Sequence, residues 1–162
     1  IQKGQSPNFD APLSLTAEVN LHLPALIPDD YLGDVHQRLL FYKRISNAVD
    51  TKKLDHIRME LIDRFGILPQ AVKNLFDVHQ IRLQAEQLGI AKIDVAKGGG
   101  YIDFLPDTPV EATTIIQMMQ KQPTFFRMDG GQRLKLTVSF EEAQKRLEFV
   151  HNLLKNLIES LH

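Results

Sequence analysis

The hydrophobic pattern of the chain changes period at Gly89, and that change limits the fold more than any other feature. Upstream, apolar residues recur at steps of three and four: Leu32, Val35, Leu39, Tyr42, Ile45 and Val49, then Leu54, Ile57, Leu61 and Phe65, then Ala71, Leu75, Val78, Ile81, Ala85 and Leu88. A stripe with that spacing marks an amphipathic helix. Asp29 and Asp30 are expected to cap the first helix, Gly66 to close the second in a left-handed turn, and Pro69 to sit in the first turn of the third. Downstream the pattern becomes that of strands. Residues 90–96 and 101–105 flank Lys97-Gly98-Gly99-Gly100, and residues 125–128 and 134–138 flank Asp129-Gly130-Gly131. Both read as hairpins, because glycine accepts the positive φ that tight turns need. Helices are predicted over 109–121 and 140–161, so the order strand, Gly-rich turn, strand, helix occurs twice, with little side-chain identity between the copies. An earlier alternation of Ala17, Val19, Leu21 and Leu23 with polar residues reads as a half-buried strand stopped by Pro24 and Pro28.

The class is therefore α+β: a helical N-terminal half, then a small sheet built from two Gly-turn hairpins and covered by helices, including a long C-terminal one. That last helix carries Phe140, Ala143, Leu147, Val150, Leu154, Leu157 and Leu161 in a coiled-coil-like seam, but three heptads are short for an independent coiled coil and a sheet this size needs a cover. The Gln-, Ser-, Pro- and Gly-rich opening, which starts at Ile1, reads as a linker over 1–15, followed by a single domain over 16–162 cut from a larger protein. A hydrophobic content of 43% over 162 residues suffices for a real core.

Charge and composition remove several function classes. Lys and Arg total 19 against 20 Asp and Glu, and the net charge of -1 gives no general pull toward phosphate or anionic lipid. With no cysteine there is no thiolate nucleophile or thiolate metal site, which suits a reducing cytoplasm. No apolar run reaches the roughly 18 residues that span a bilayer, so a soluble, cytoplasmic protein is expected. Gly98 to Gly100 lead into a strand, not into a helix N-terminus, and no Gly-Lys-Ser or Gly-Lys-Thr follows, which argues against nucleotide hydrolysis. The six histidines show no metal-ligand spacing, and His56 and His79 are expected to be solvated or capping side chains. No serine lies in a Gly-x-Ser-x-Gly elbow. The acid pairs Asp29-Asp30 and Glu141-Glu142 stand where helices should start, and capping explains them better than acid-base work. No catalytic residue, metal or cofactor is assigned to this chain. Lys43-Arg44 and Lys52-Lys53 are short basic pairs; a nucleic-acid-handling accessory role would rest on them, although a groove would call for more cations and for stacking aromatics.

What remains is surface recognition, and the second helix is its best carrier. Leu54, Ile57, Leu61 and Phe65 share one face, while Lys52, His56, Glu60 and Asp63 lie opposite with Met59 beside them and Arg64 flanking. Glu60 and Arg64, four residues apart, can pair along the helix for only about 0.3 kcal/mol.

Three stretches then carry a resemblance. Leu26-Ile27-Pro28-Asp29-Asp30-Tyr31, Arg38-Leu39-Leu40-Phe41-Tyr42-Lys43-Arg44-Ile45 and Glu60-Leu61-Ile62-Asp63-Arg64-Phe65-Gly66-Ile67-Leu68-Pro69 resemble, in order and spacing, the C-terminal domain of bacterial transcription-repair coupling factor. The likeness covers roughly 17–161, with residues from Ile90 onward matching in layout more than in wording. It implies a parent that is an ATP-driven DNA translocase, with ATP and magnesium held in motor domains outside this chain, which displaces stalled RNA polymerase and recruits excision repair. It further implies that this domain packs on an N-terminal module similar to UvrB, covers the surface that binds UvrA, and is freed when polymerase is engaged. The family's polar docking positions fall on Glu60, Asp63 and Arg64, with Leu61, Ile62 and Phe65 left mainly to the core. The expected partners are that N-terminal module and, indirectly, UvrA and RNA polymerase, with neither direct nucleic acid nor membrane.

Overall fold

Asp34 and Asp50 start the first two helices. Asp34 accepts from the amides of His36 and Gln37 and opens α1 (Val35–Asn47), and Asp50 accepts from the Lys53 amide and opens α2 (Thr51–Phe65). Asp29 and Asp30, expected as caps, lie a turn too early. The computed structural model describes residues 17–162, so the linker assigned to 1–15 lies outside the described residues. Gly66 closes α2 at φ 95, as its lack of a Cβ allows. Pro69 is the N-cap of α3 (Gln70–Gln87), one position before its expected place.

Beyond Gly89 the strands form as the pattern demands. They are β2 (Ile90–Ala96) and β3 (Gly99–Phe104), then β4 (Phe126–Asp129) and β5 (Arg133–Leu136), with α4 (Ala112–Lys121) between the hairpins and α5 (Ala143–Glu159) after them. The early alternation supplies β1 (Glu18–Asn20). The sheet order is β1-β2-β3-β5-β4. Both hairpins are antiparallel and meet through β3 and β5, while β1 adds to the edge in parallel, with Val19 opposite Ile93. A parallel neighbour needs a long crossover, and α1, α2 and α3 are that crossover.

Two pins hold the edge strand. Asp94 on β2 takes the His22 ring at 2.7 Å, and buried Arg146 on α5 donates to the carbonyls of Leu21 (2.7 Å) and His22 (3.2 Å). His22 is the only non-glycine with positive φ, 54, among the described residues, which is how the chain turns out of β1.

The glycines of the first hairpin serve close approach more than the turn. Ala96 is paired with Gly99, so only Lys97 and Gly98 form the loop. A Cβ on Gly100 would overlap the Asp94 carbonyl oxygen, and one on Gly99, at φ 115, would overlap that of Leu136.

The apolar side chains fall into two clusters joined by α3. Val72 and Phe76 belong with Ile27, Leu32, Phe41, Ile45, Leu54, Ile57 and Leu61. Val78, Ile81 and Ala85 belong with the sheet residues Ile93, Val95, Ile102 and Leu134 and with Val150, Leu154 and Leu157 of α5. The seam of α5 is thus core packing. On α1 the expected stripe is only half right: Leu32 and Ile45 are buried, but Val35, Leu39 and Val49 are exposed, and Phe41 and Ala48 take their places. His79, expected to be solvated or capping, is buried; its Nε2 donates to the carbonyl of Ala48, the C-cap of α1, at 2.8 Å, and its Nδ1 accepts from Arg82 at 3.1 Å.

Two predictions follow from this packing. Gly100→Ala should cost several kcal/mol, because backbone must move to admit the methyl, whereas Gly131→Ala, with open space and ordinary φ, should stay within about 0.5 kcal/mol; urea midpoints compare the two. Burial holds the His79 ring below the ordinary histidine pKa, so the unfolded chain takes up its proton first. The stability tied to a neutral His79 is complete above about pH 6.5 and declines as pH falls from there toward the lower folded value. His79→Gln should flatten that decline in a urea titration repeated across this range.

Candidate functional site

The three stretches that carry the family resemblance fold into one unit. Tyr31 donates from its hydroxyl to the carbonyls of Leu61 (3.2 Å) and Gly66 (2.8 Å), which ties the segment before α1 to the C-terminal end of α2. The Tyr42 hydroxyl accepts from the Ile27 amide at 2.7 Å, and Arg38 donates to the carbonyl of Leu32 at 2.8 Å. Phe65 packs its ring against Tyr31 and Phe41 at 6.0 and 6.2 Å. Each stretch therefore stabilises the other two.

On the outer side, α1 and α2 are tied by a polar clamp. Glu60 Oε1 accepts from Arg44 Nη2 at 2.8 Å and its Oε2 from Arg64 Nη1 at 3.2 Å. Arg64 Nη2 reaches across to Gln37 Oε1 at 3.2 Å. Both guanidiniums lie over aromatic rings, Arg44 5.0 Å from the centre of Phe41 and Arg64 5.0 Å from that of Phe65. Hydrogen bonding from Arg44 holds the Glu60 carboxyl below the usual carboxylate range, against a smaller opposing effect of partial burial.

The site residues named from sequence thus separate. Glu60 and Arg64 are brought together and engaged within the domain. Asp63 is exposed and makes no hydrogen bond or ion pair among the described residues. Met59 is 60% exposed beside them, and Leu40 of α1 is 61% exposed. Ile62, assigned mainly to the core, is 38% exposed; only Leu61 of its neighbours is fully buried. Arg44 is expected only as half of a basic pair, Tyr31 only within a stretch that carries the resemblance, and Gln37 not at all. Their partners lie on another element, and helical spacing cannot say which residue of α1 will face α2.

The two basic pairs also converge. Lys43 and Arg44, near the end of α1, and Lys52 and Lys53, in the first turn of α2, line one open cleft with His56. Among the described residues no group of three His, Asp or Glu could hold a metal ion, and no helix is long and apolar enough to cross a membrane.

Fold and site together define a small α+β domain with a polar clamp on the outer side of two helices. The chain belongs to the TRCF domain family, whose model matches residues 21–115. It is 41% identical over 157 residues to the transcription-repair-coupling factor of Haemophilus influenzae, covering 97% of this chain and 14% of that protein. It is 39% identical over 160 residues to that of Escherichia coli, covering 99% of this chain and again 14% of the relative. The chain therefore spans about one seventh of these relatives' length. A solved structure, the crystal structure of the C-terminal domain of transcription-repair coupling factor, superposes with a TM-score of 0.76 at 21% identity, covering 89% of this chain and 92% of the other, and shows the shared fold.

The clamp is exposed, and exposed ion pairs are weak. A double-mutant cycle on Arg44→Ala and Glu60→Ala should give a coupling of no more than about 1 kcal/mol. Because the folded Glu60 carboxyl is more acidic than an unfolded one, its contribution is complete above the usual carboxylate range and is lost as pH falls through the lower folded value. The cycle repeated under acid conditions should show the coupling vanish.

Proposed function

We propose that this domain is a non-catalytic regulatory module of a transcription-repair coupling factor, a cytoplasmic DNA translocase whose ATP- and magnesium-dependent motor lies outside this chain. It docks through the outer face of α2 on the parent's N-terminal UvrB-like module, masks the UvrA-binding surface, and releases when RNA polymerase is engaged. One observation carries the reading: in a member of this family, the polar positions Glu60, Asp63 and Arg64 stand together on an exposed helix face, with Asp63 unpaired among the described residues.

On this reading the three residues do different work. The Glu60 and Arg64 clamp holds the face rigid and limits the entropy lost on docking. Asp63 supplies the charge still free to meet a cation on the partner. Charged contacts at a rim favour register and association rate over affinity, which suits a contact that has to open. Release is then a shift of population between docked and undocked arrangements.

The division of labour guides the test. Reversing Glu60 would disturb the internal clamp as well as docking, so Asp63→Lys is the cleaner probe. Titrated against the isolated N-terminal module of the parent, the wild-type chain should bind and Asp63→Lys should bind about fivefold to fiftyfold more weakly, equivalent to 1 to 2.3 kcal/mol. In the intact parent the same substitution should raise UvrA capture without polymerase. Unchanged affinity together with unchanged UvrA capture would remove the docking role.

A further inference from the structure

The turn that joins α1 to α2 opens on a cleft of about 700 Å³. Lys43, Arg44, Lys52, Lys53 and His56 stand around it, and Ala48 and Ile57, each only 5% exposed, form an apolar floor. No carboxylate lines it. Of the acids nearest in sequence, Asp50 turns its Oδ1 to the Lys53 amide and is used by the start of α2, and Asp55, next to His56, pairs with Arg58. Arg44 is held by Glu60, but the ammonium groups of Lys43, Lys52 and Lys53 form no ion pair among the described residues. In a chain with net charge -1, three unneutralised cations are concentrated around one concavity, and a concave wall focuses their field outward.

We propose that this cleft receives an acidic peptide segment of a partner protein, with its carboxylates on Lys43, Lys52 and Lys53 and an apolar side chain on the floor of Ala48 and Ile57. Three observations favour a peptide over nucleic acid. Of the lining residues only His56 carries a ring, so the cleft has no succession of platforms on which bases could stack. The floor of Ala48 and Ile57 is apolar, which suits an aliphatic side chain and not a phosphate. With a net charge of -1, the chain has no general basic surface on which a phosphate backbone could continue beyond the cleft. The inference uses residues other than the proposed docking triad and stands apart from the docking reading, so either can fail alone.

The test titrates the 162-residue chain into a fluorescently labelled peptide of glutamates flanking a leucine pair and follows anisotropy. The same peptide with lysines for glutamates, and an oligothymidine of similar length, are the comparison probes. The glutamate peptide should bind saturably, shift the backbone amides of residues 43–57, and weaken with salt. Lys43→Glu, Lys52→Glu and Lys53→Glu together should weaken it about tenfold or more. A control changing Lys135, Lys145 and Lys155 to Glu alters the net charge equally and should stay within about twofold. Should charge reversal disturb the fold by circular dichroism, changing the three cleft lysines to Gln serves instead, with a loss of at least about threefold expected. Absence of saturable binding, equal loss in the control, or tighter oligothymidine binding abolished by the cleft substitutions would each overturn the assignment, the last in favour of nucleic acid.

Discussion

The structure depends on α3 serving two cores at once. Its first half completes the helical cluster with Val72 and Phe76, and its second half packs Val78, Ile81 and Ala85 against the sheet. A helix buried on more than one side cannot keep all its polar residues in water, and Asn74 and His79 are buried with it. Each is satisfied by a group that joins distant segments: Asn74 donates to the Pro24 carbonyl and accepts from Gln144 of α5, and His79 holds the end of α1. Buried polar groups left unpaired cost more than the bonds they make contribute. These two side chains therefore fix the docking of α1 and α5 on α3 more sharply than apolar contact would.

That dependence explains what the sequence could reveal. The periods on either side of Gly89, the two glycine-rich turns and the seam of α5 are local signals, and each predicted its element. The partners of those elements are not local. Joining β1 to β2 in parallel requires knowing where α1 to α3 return the chain. The stripe on α1 failed at Val35, Leu39 and Val49 because a helix covered on one side by α2 and α3 turns Phe41 and Ala48 inward, while periodicity alone ranks every apolar residue as a core candidate. Asp34 outcompeted Asp29 and Asp30 because Pro28 and Tyr31 form a turn first, with the Tyr31 amide donating to the Pro28 carbonyl at 3.1 Å. In the candidate site, the exposed face of α2 was legible from spacing. The engagement of Glu60 by Arg44 was not, since those residues are sixteen apart and on different helices.

The energetics of the clamp bear on how a docking module can be released. Glu60, Arg44 and Arg64 are all partly open to water, where Coulomb attraction is small and salt screens it further. Their contribution is geometric: the guanidiniums are steadied over Phe41 and Phe65, and Phe65 packs in turn on Phe41 and on Tyr31. A rigid face of weak contacts can meet a partner in one register without holding it tightly. On the docking reading, that combination lets a competing interaction of a few kcal/mol shift the balance toward release.

Arg44 belongs to both the clamp and the basic cleft, so the two surfaces share a side chain. An anion entering the cleft would compete with Glu60 for the Arg44 guanidinium. If it won, Glu60 would keep only Arg64, at the longer of its two contacts, and the carboxylate face beside Asp63 would become more negative. On the two proposals, occupancy of the cleft and the charge shown by the proposed docking face would thereby be linked through one residue, and linkage of this kind acts equally in both directions. The coupling follows from the positions of the α1 and α2 side chains and does not require the backbone to move.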